Sequence, residues 1–309
     1  MRVLMAGGSG MIGRALRARL TERGDVVRVL VRREPRGDDE YRWTGQVGSA
    51  PAAAVDWAEA VVSLNGAPIA RLPWTNAYRR QIMSSRVETA AALALAITEA
   101  ANPPAVWVSA SATGFYGDRG RRGDAAAAEP VTEADGSGRG FLAGVVRAWE
   151  AAAAPAGAVT RLVRARTGIV LAPAGGTLAP LIRTTRLGLG ARFGSGRQYW
   201  PWISLRDEVR AWDFALRDER LAGPVNLVGP ALATAGQITA ELARALGRPH
   251  WLAVPAFALR LALDGAADDL ILASQPIRPA ALQACGFEFV DPTAAAAIRW
   301  AVARPPLPS

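Results

Sequence analysis

Gly7, Gly10 and Gly13 stand three residues apart in the stretch AGGSGMIG. A short apolar run at 3–6 precedes them, and Ile12, Leu16 and Leu20 follow at the spacing of one helical face. Strand, glycine turn and amphipathic helix in that order suit a pyrophosphate. The first glycine permits a tight turn, the second lets backbone approach the anion, and the third lets helix pack on strand. The helix start adds free N–H groups and the positive end of its dipole. The chemistry this predicts is binding of a dinucleotide. A second strand, 26–31, leads into Arg32-Arg33 where a carboxylate would otherwise hold a ribose 2′-hydroxyl. A guanidinium there offers a planar fork to a 2′-phosphate, so NADP(H) is expected over NAD(H).

Proton chemistry is harder to place. Ser109 and Ser111 fall at the carboxyl end of a strand expected at 105–109, where ligands collect in open α/β sheets. Tyr116 follows in Gly114-Phe115-Tyr116-Gly117. Ser111 is the candidate donor to a substrate carbonyl, and Tyr116 the candidate acid. Glu133 and Asp135 read as a solvated pair, and His250, the single histidine, as a capped or surface residue. With one histidine and one cysteine, neither a zinc cluster nor any other metal site is expected. No Ser-His-Asp arrangement fits either.

All 36 basic residues are arginine, so no side chain here can form a Schiff base. The formal charge of +9 raises nucleic acid as a partner, but the arginines are scattered, many beside Asp or Glu, with no clustered stripe. The expectation is a small-molecule substrate and no nucleic acid. The chain has no apolar run of about 18 residues, so no membrane span is expected. Its opening run is too short for the apolar part of a signal peptide. The lone Cys285 fits a reducing compartment, hence a cytoplasmic location.

These residues need a scaffold, and the pattern supplies one. Strand-like runs at 3–6, 26–31, 60–64, 105–109 and 159–164 alternate with helical runs that include 86–101 and 141–154. This rhythm predicts a doubly wound parallel sheet, an α/β Rossmann domain over 1–171. Residues 206–228 are expected to return to it. Residues 172–205 and 229–309 form a smaller, mostly helical domain, with helices at 235–246, 255–263, 266–273, 278–284 and 292–301. Residues 118–140, rich in Gly and charge, read as a mobile loop able to act as a lid. Trp74 and Trp149 are expected in the core, and Tyr199-Trp200-Pro201-Trp202 along a substrate cleft.

Taken in order, "AGGSGMIGRAL", "SLNGAPIA", "RRQIMSSRVETAAAL", "SASATGFYGDRG", "RTGIVL", "GLGARFGSGRQYWPWISLRD", "GPVNLVGP", "LGRP" and "ILASQPIRPAALQACGFEF" resemble the extended short-chain dehydrogenase/reductase superfamily. Within it the chain is similar to the atypical sugar epimerase-like branch with a small C-terminal domain, over nearly its whole length. The resemblance implies that Gly7, Ser9, Gly10, Met11, Ile12 and Gly13 cradle the pyrophosphate. Val31 and Arg32 would meet the adenosine end, and Leu64 and Asn65 the ribose, although Ala is usual where Asn65 stands. Gln81 and Arg86 would face the cofactor, and Ile169 would make a backbone contact beside the nicotinamide. Active relatives carry a Tyr-x-x-x-Lys pair on one helical face; here the places read Phe141 and Val145. Many relatives also have His where Ser204 stands. Two functions are compatible with this: an NADP(H)-dependent oxidoreductase or epimerase-like enzyme for a small carbonyl or sugar-like compound, and a non-catalytic NADP(H)-binding regulator. Neither substrate nor oligomeric state is legible.

Overall fold

A computed structural model describes residues 1–120 and 130–303 of the 309. Its centre is a seven-stranded parallel sheet in the order β10-β6-β5-β4-β1-β2-β3. The strands are β1 (Arg2–Ala6), β2 (Val26–Val31), β3 (Glu40–Arg42), β4 (Ala60–Ser63), β5 (Val106–Ala112), β6 (Arg161–Thr167) and β10 (Gly223–Leu227). β1 and β4 are continuous apolar runs because helices cover both faces of the sheet. On one face α1 (Met11–Glu22) and α6 (Leu205–Arg217) pack against Val3, Met5, Val62, Val108 and Val163. On the other, α2 (Ala52–Trp57), α3 (Asn76–Thr98) and α4 (Phe141–Ala153) enclose Leu4, Val61 and Trp107.

Several boundaries differ from the sequence reading for identifiable reasons. α3 begins ten residues before the expected Arg86, because the Thr75 hydroxyl caps it by accepting from Tyr78 N at 3.1 Å and Tyr78 and Ile82 are buried. β6 runs on to Thr167, past the predicted end at 164. Its outer half, Arg164-Ala165-Arg166, is polar because both arginines reach a buried carboxylate on α4. β3 and α2 are short elements without a readable period. After β6 the chain leaves the sheet and re-enters it through β10, which pairs with β6 from Gly223 opposite Val163 to Leu227 opposite Thr167.

The remaining chain builds a second, smaller core around Leu171, Ile182, Trp200, Trp202, Ile238, Leu242 and Ile298. It contains β7 (Ile169–Leu171), α5 (Leu178–Arg186), β8 (Gly190–Phe193) and β9 (Trp202–Ser204). Further on come α7 (Ala235–Ala245), β11 (His250–Val254), α8 (Ala256–Leu263), α9 (Gly265–Ala267), α10 (Ala280–Ala284) and α11 (Ala294–Val302). Two parallel pairs, β7 with β9 and β8 with β11, accompany the helices. Where one helix was expected at 266–273, α9 passes into a single wider turn at Asp268–Leu272. No helix among the described residues is long and apolar enough to cross a membrane.

Candidate functional site

The glycine turn lies at the carboxyl edge of the sheet, between β1 and α1. Gly7 has φ +84°, and a Cβ there would sit 2.7 Å from the Leu64 carbonyl carbon. A Cβ on Gly13 would lie 2.4 Å from the Gly7 oxygen. The fold itself therefore requires both. Gly10 is different: its backbone is extended at φ −75°, ψ 170°, and a Cβ would meet nothing nearer than 3.6 Å. Gly10 starts α1 with no side-chain cap and no acidic residue in the first turn. The helix end is left electropositive and reachable. Ser9 is exposed, its carbonyl accepting from Arg14 Nη1 at 2.5 Å. Met11 reaches towards Gly175, its sulfur 3.2 Å from where a Cβ would stand. Ile12, Val31 and Leu64 are half-buried against the core.

The two arginines after β2 part company. Arg33 donates to both carboxylate oxygens of Glu40, whose pKa the Arg33 hydrogen bond lowers to about 2. Arg32 is exposed and has no carboxylate partner among the described residues. Beyond β4, Asn65 holds a buried side-chain oxygen, Oδ1, with no hydrogen-bond donor. A buried acceptor left unmet costs free energy unless a ligand or water completes it. Gln81 is exposed on α3. Arg86 is not the surface cation that helix position alone suggests. It folds back to donate to the carbonyls of Ile82 at 3.0 Å and Ala67 at 3.1 Å. The Ser109 hydroxyl is turned inwards to Ser63 at 3.4 Å, leaving Ser109 1 % exposed. Ile169 N–H donates to the Pro201 carbonyl at 2.6 Å, which leaves its own carbonyl as the group for a backbone contact.

Phe141 and Val145 occupy an apolar cluster with Ala67, Trp74, Tyr78 and Ile82 from the segment after β4, and with Leu263, Ala266 and Leu270 from the C-terminal part. Trp74 meets Phe141 edge to face at 5.5 Å, and its indole N–H is spent on the Ile69 carbonyl. Trp74 and Trp149 are indeed buried. The expectation for Trp200 and Trp202 is corrected: both are core residues, 4 % and 2 % exposed, donating to the carbonyls of Ile271 and Ala231. They hold the second core together and do not wall a cleft.

Ser111 and Tyr116 enter a buried polar network instead of facing solvent. Ser111 donates to Glu150 Oε1 at 2.6 Å. Arg166 grips the same carboxylate with two bonds of 2.8 and 2.9 Å, and donates a third to the Tyr116 oxygen at 2.9 Å. Its guanidinium also lies over Phe115 at 3.5 Å. Tyr116, fully buried, donates a hydrogen bond to Asn226 Oδ1 at 2.7 Å. Burial pushes this phenol up from its usual value, against the pull of Arg166. A hydroxyl so committed is a poor acid for a substrate. Glu133 is no solvated carboxylate either: Oε1 accepts from Asn226 N at 2.9 Å and Ala281 N at 3.2 Å. Asp135 accepts from Thr132 N at 2.8 Å.

Glu133 and Val131, which pairs with Ile277, pin the second half of the 118–140 segment; Asp118 pins the first to Ser274 N at 3.0 Å. Its centre, 121–129, lies outside the described residues. His250 sits 3.0 Å from the Thr239 hydroxyl. Sequence reasoning missed Glu150, Arg166, Asn226 and Glu208. The available signal was a polar residue among apolar neighbours, Glu150 in α4 and Asn226 in β10; Arg166 and Glu208 lie among other charges and carried none. Glu208 is fully buried, accepts from Trp212 Nε1 and the Thr167 hydroxyl, and is pushed by burial up to about 7.

A seven-stranded parallel sheet with a glycine turn beneath an uncapped helix now stands beside a match to known sequences. The model of the NAD dependent epimerase/dehydratase family covers residues 3–228. The chain belongs to this family. Residues 254–301 match a second model, described as a domain of unknown function (DUF1731). An epimerase family protein of Mycobacterium bovis is 41% identical over 98% of this chain and 98% of its own. The crystal structure of human epimerase family protein SDR39U1 with NADPH superposes with a TM-score of 0.88 at 30% identity, over 98% of this chain and 99% of that one. UDP-N-acetylglucosamine 4-epimerase from Bacillus cereus shares the fold, with a TM-score of 0.76 at 14% identity over 98% of both chains.

Proposed function

We propose that this family member binds NADP(H) across the edge formed by β1, β2 and β4. One observation carries the reading. Gly10 needs no glycine for its own packing, and it opens an uncapped helix on the strand edge next to Arg32, which has no carboxylate partner among the described residues. A residue kept small without an internal reason makes room for something outside the chain, and here the surroundings are cationic. The orphaned Asn65 oxygen lies on the same edge and supports a ligand hydroxyl or amide there. In this reading Gly7, Ser9, Gly10, Met11, Ile12 and Gly13 cradle the pyrophosphate, Arg32 takes the 2′-phosphate, and Leu64 and Asn65 meet the ribose. The human relative crystallised with NADPH agrees with the cofactor. When bound, the group would supply or accept a hydride.

The compound that meets the cofactor is, in this proposal, a small carbonyl or sugar-like molecule. A second reading, a non-catalytic NADP(H)-binding regulator, is favoured by the apolar packing of Phe141 and Val145 and by the internal commitments of Ser111 and Tyr116. Neither helix position offers a proton. Stopped-flow NADPH oxidation with a panel of carbonyl compounds separates the two: turnover supports the enzyme, tight binding without turnover the regulator. The cofactor assignment has its own test. Arg32→Asp should weaken NADPH by about 30-fold and leave NADH nearly unchanged, as loss of a charge-assisted phosphate contact requires. An unaltered preference for NADPH in that variant defeats the assignment.

A further inference from the structure

A cavity lies at the opposite edge of the sheet from the glycine turn. α1 begins at that turn and is 12 residues long, so its last turn stands about 18 Å away, at the amino edge where β2 starts. There α1 packs along α6, and the segment Gly286-Phe287-Glu288 after α10 joins them around a cavity of about 360 Å³. That volume lies within the range of small-molecule sites. Arg19, Arg23, Arg210 and Arg217 line it, and Phe214 and Phe287, edge to face at 5.4 Å, make its apolar wall.

The charges of the lining do not balance. The buried Asp213 carboxylate accepts from Arg19 Nε at 2.8 Å, Arg23 Nη1 at 3.1 Å and Arg217 Nε at 2.7 Å. One carboxylate thus serves three guanidinium groups. Arg217 has a second acid in Asp25, which the terminal ammonium shares. Arg19 and Arg23 each spend one of five side-chain N–H groups among the described residues, and both reach solvent. Arg210 donates to the Glu288 carbonyl at 2.9 Å, while its Nε is buried with no hydrogen-bond partner, 3.8 Å from Asp207. Against these four cations the lining offers two carboxylates, Asp213 and the exposed Glu288. The ends of α1 and α6 add only about half a negative charge each, so the lining stays positive.

We propose that this cavity binds a small aromatic anion, its phosphate or carboxylate held by Arg19 and Arg23 and its ring against the Phe214–Phe287 wall. A guanidinium fork meets either head group with paired N–H donors. The added negative charge also relieves the repulsion among the cations gathered on Asp213. Such a ligand ties α1 and α6 to the segment after α10. The site is separate from the cofactor edge and does not depend on the NADP(H) reading.

Calorimetry on the full chain tests it with phenyl phosphate and benzoate, and with inorganic phosphate and acetate as their counterparts without a ring. An aromatic probe should bind with a Kd below about 1 mM, and about 10-fold more tightly than its counterpart. The tighter of the two aromatic probes identifies the head group. Arg23→Glu should weaken that binding by about 30-fold, and Gly10→Asp, at the cofactor edge, should leave it unchanged. Asp213 keeps Arg19 and Arg217 when Arg23 is replaced. Should glutamate still prevent folding, Arg23→Ala, with an expected loss of about 10-fold, gives the same comparison. A parent protein that binds neither aromatic probe, a ring that adds nothing, or undiminished binding to Arg23→Glu overturns the proposal. So does a loss confined to Gly10→Asp, which would put the anion at the cofactor edge.

Discussion

The two halves of the sheet's carboxyl edge are built on opposite principles. Along β1, β2 and β4 the chain leaves groups unmet: an uncapped helix start at Gly10, an unpaired Arg32, the orphaned Asn65 oxygen and a guanidinium on Arg86 with N–H groups to spare. Along β5, β6 and β10 polar side chains pair with one another beneath the surface, through Ser111, Glu150, Arg166, Tyr116 and Asn226, although Glu133 Oε2, Arg164 Nε and Glu208 Oε2 lack partners there. The unmet groups at the β1–β2–β4 edge support the proposed cofactor site, and the linked side chains beneath β5 and β6 serve the scaffold. The lesson concerns Ser111 and Tyr116 above all. In sequence they look like catalytic hydroxyls, and in space they lie on the scaffold side.

The largest effect expected on this contrast comes from Glu150→Gln. It leaves Arg166 buried beside a neutral amide, which should cost about 3–5 kcal/mol in urea unfolding. NADPH affinity should change by less than about threefold at temperatures where the variant stays folded. A stability loss under about 1 kcal/mol would mean that the buried network is not what holds β6 to α4.

Gly10→Asp probes the other half. Aspartate is a good residue at a helix start, so thermal stability should hold or rise slightly. A carboxylate facing the pyrophosphate should lower NADPH affinity by about 100-fold, or roughly 2.7 kcal/mol. Gly13→Asp, by contrast, collides with backbone 2.4 Å away and should fail to fold stably. If both variants fold and bind alike, the distinction between a glycine kept for packing and one kept for a ligand is lost.

Glu208 gives the smallest and most pH-specific effect. Burial raises its pKa from the ordinary 4.5 to about 7. The unfolded chain therefore releases this proton before the folded one does. Its contribution to stability is whole below about pH 4.5, declines between there and about pH 7, and is level above. Glu208→Gln should remove that slope and be more stable than the parent protein at pH 8 in urea unfolding. An unchanged slope would place the titration elsewhere.

The readable part of the fold was the part carried by short-range pattern. The apolar runs of β1, β2 and β4 and the Gly7-Gly10-Gly13 turn announce a parallel sheet and its anion cradle within a dozen residues. Trp200 and Trp202 misled because an aromatic beside glycines looks the same whether it lines a cleft or fills a core; only the carbonyls of Ile271 and Ala231 decide between them. The start of α3 was missed because a Thr75 cap among Pro and Trp carries little helical period.

Sequence alone determined that a glycine turn opens the chain, that no lysine exists, and that Phe141 and Val145 cannot move a proton. Those facts depend on residue identity and on neighbours a few positions away. Tertiary structure decided which charges are spent and which are free, because the partners are remote in the chain. Ser111 meets Glu150 across 39 positions, Arg166 meets Tyr116 across 50, and Tyr116 meets Asn226 across 110. The order of strands in the sheet brings them together, and chain spacing carries no record of that order.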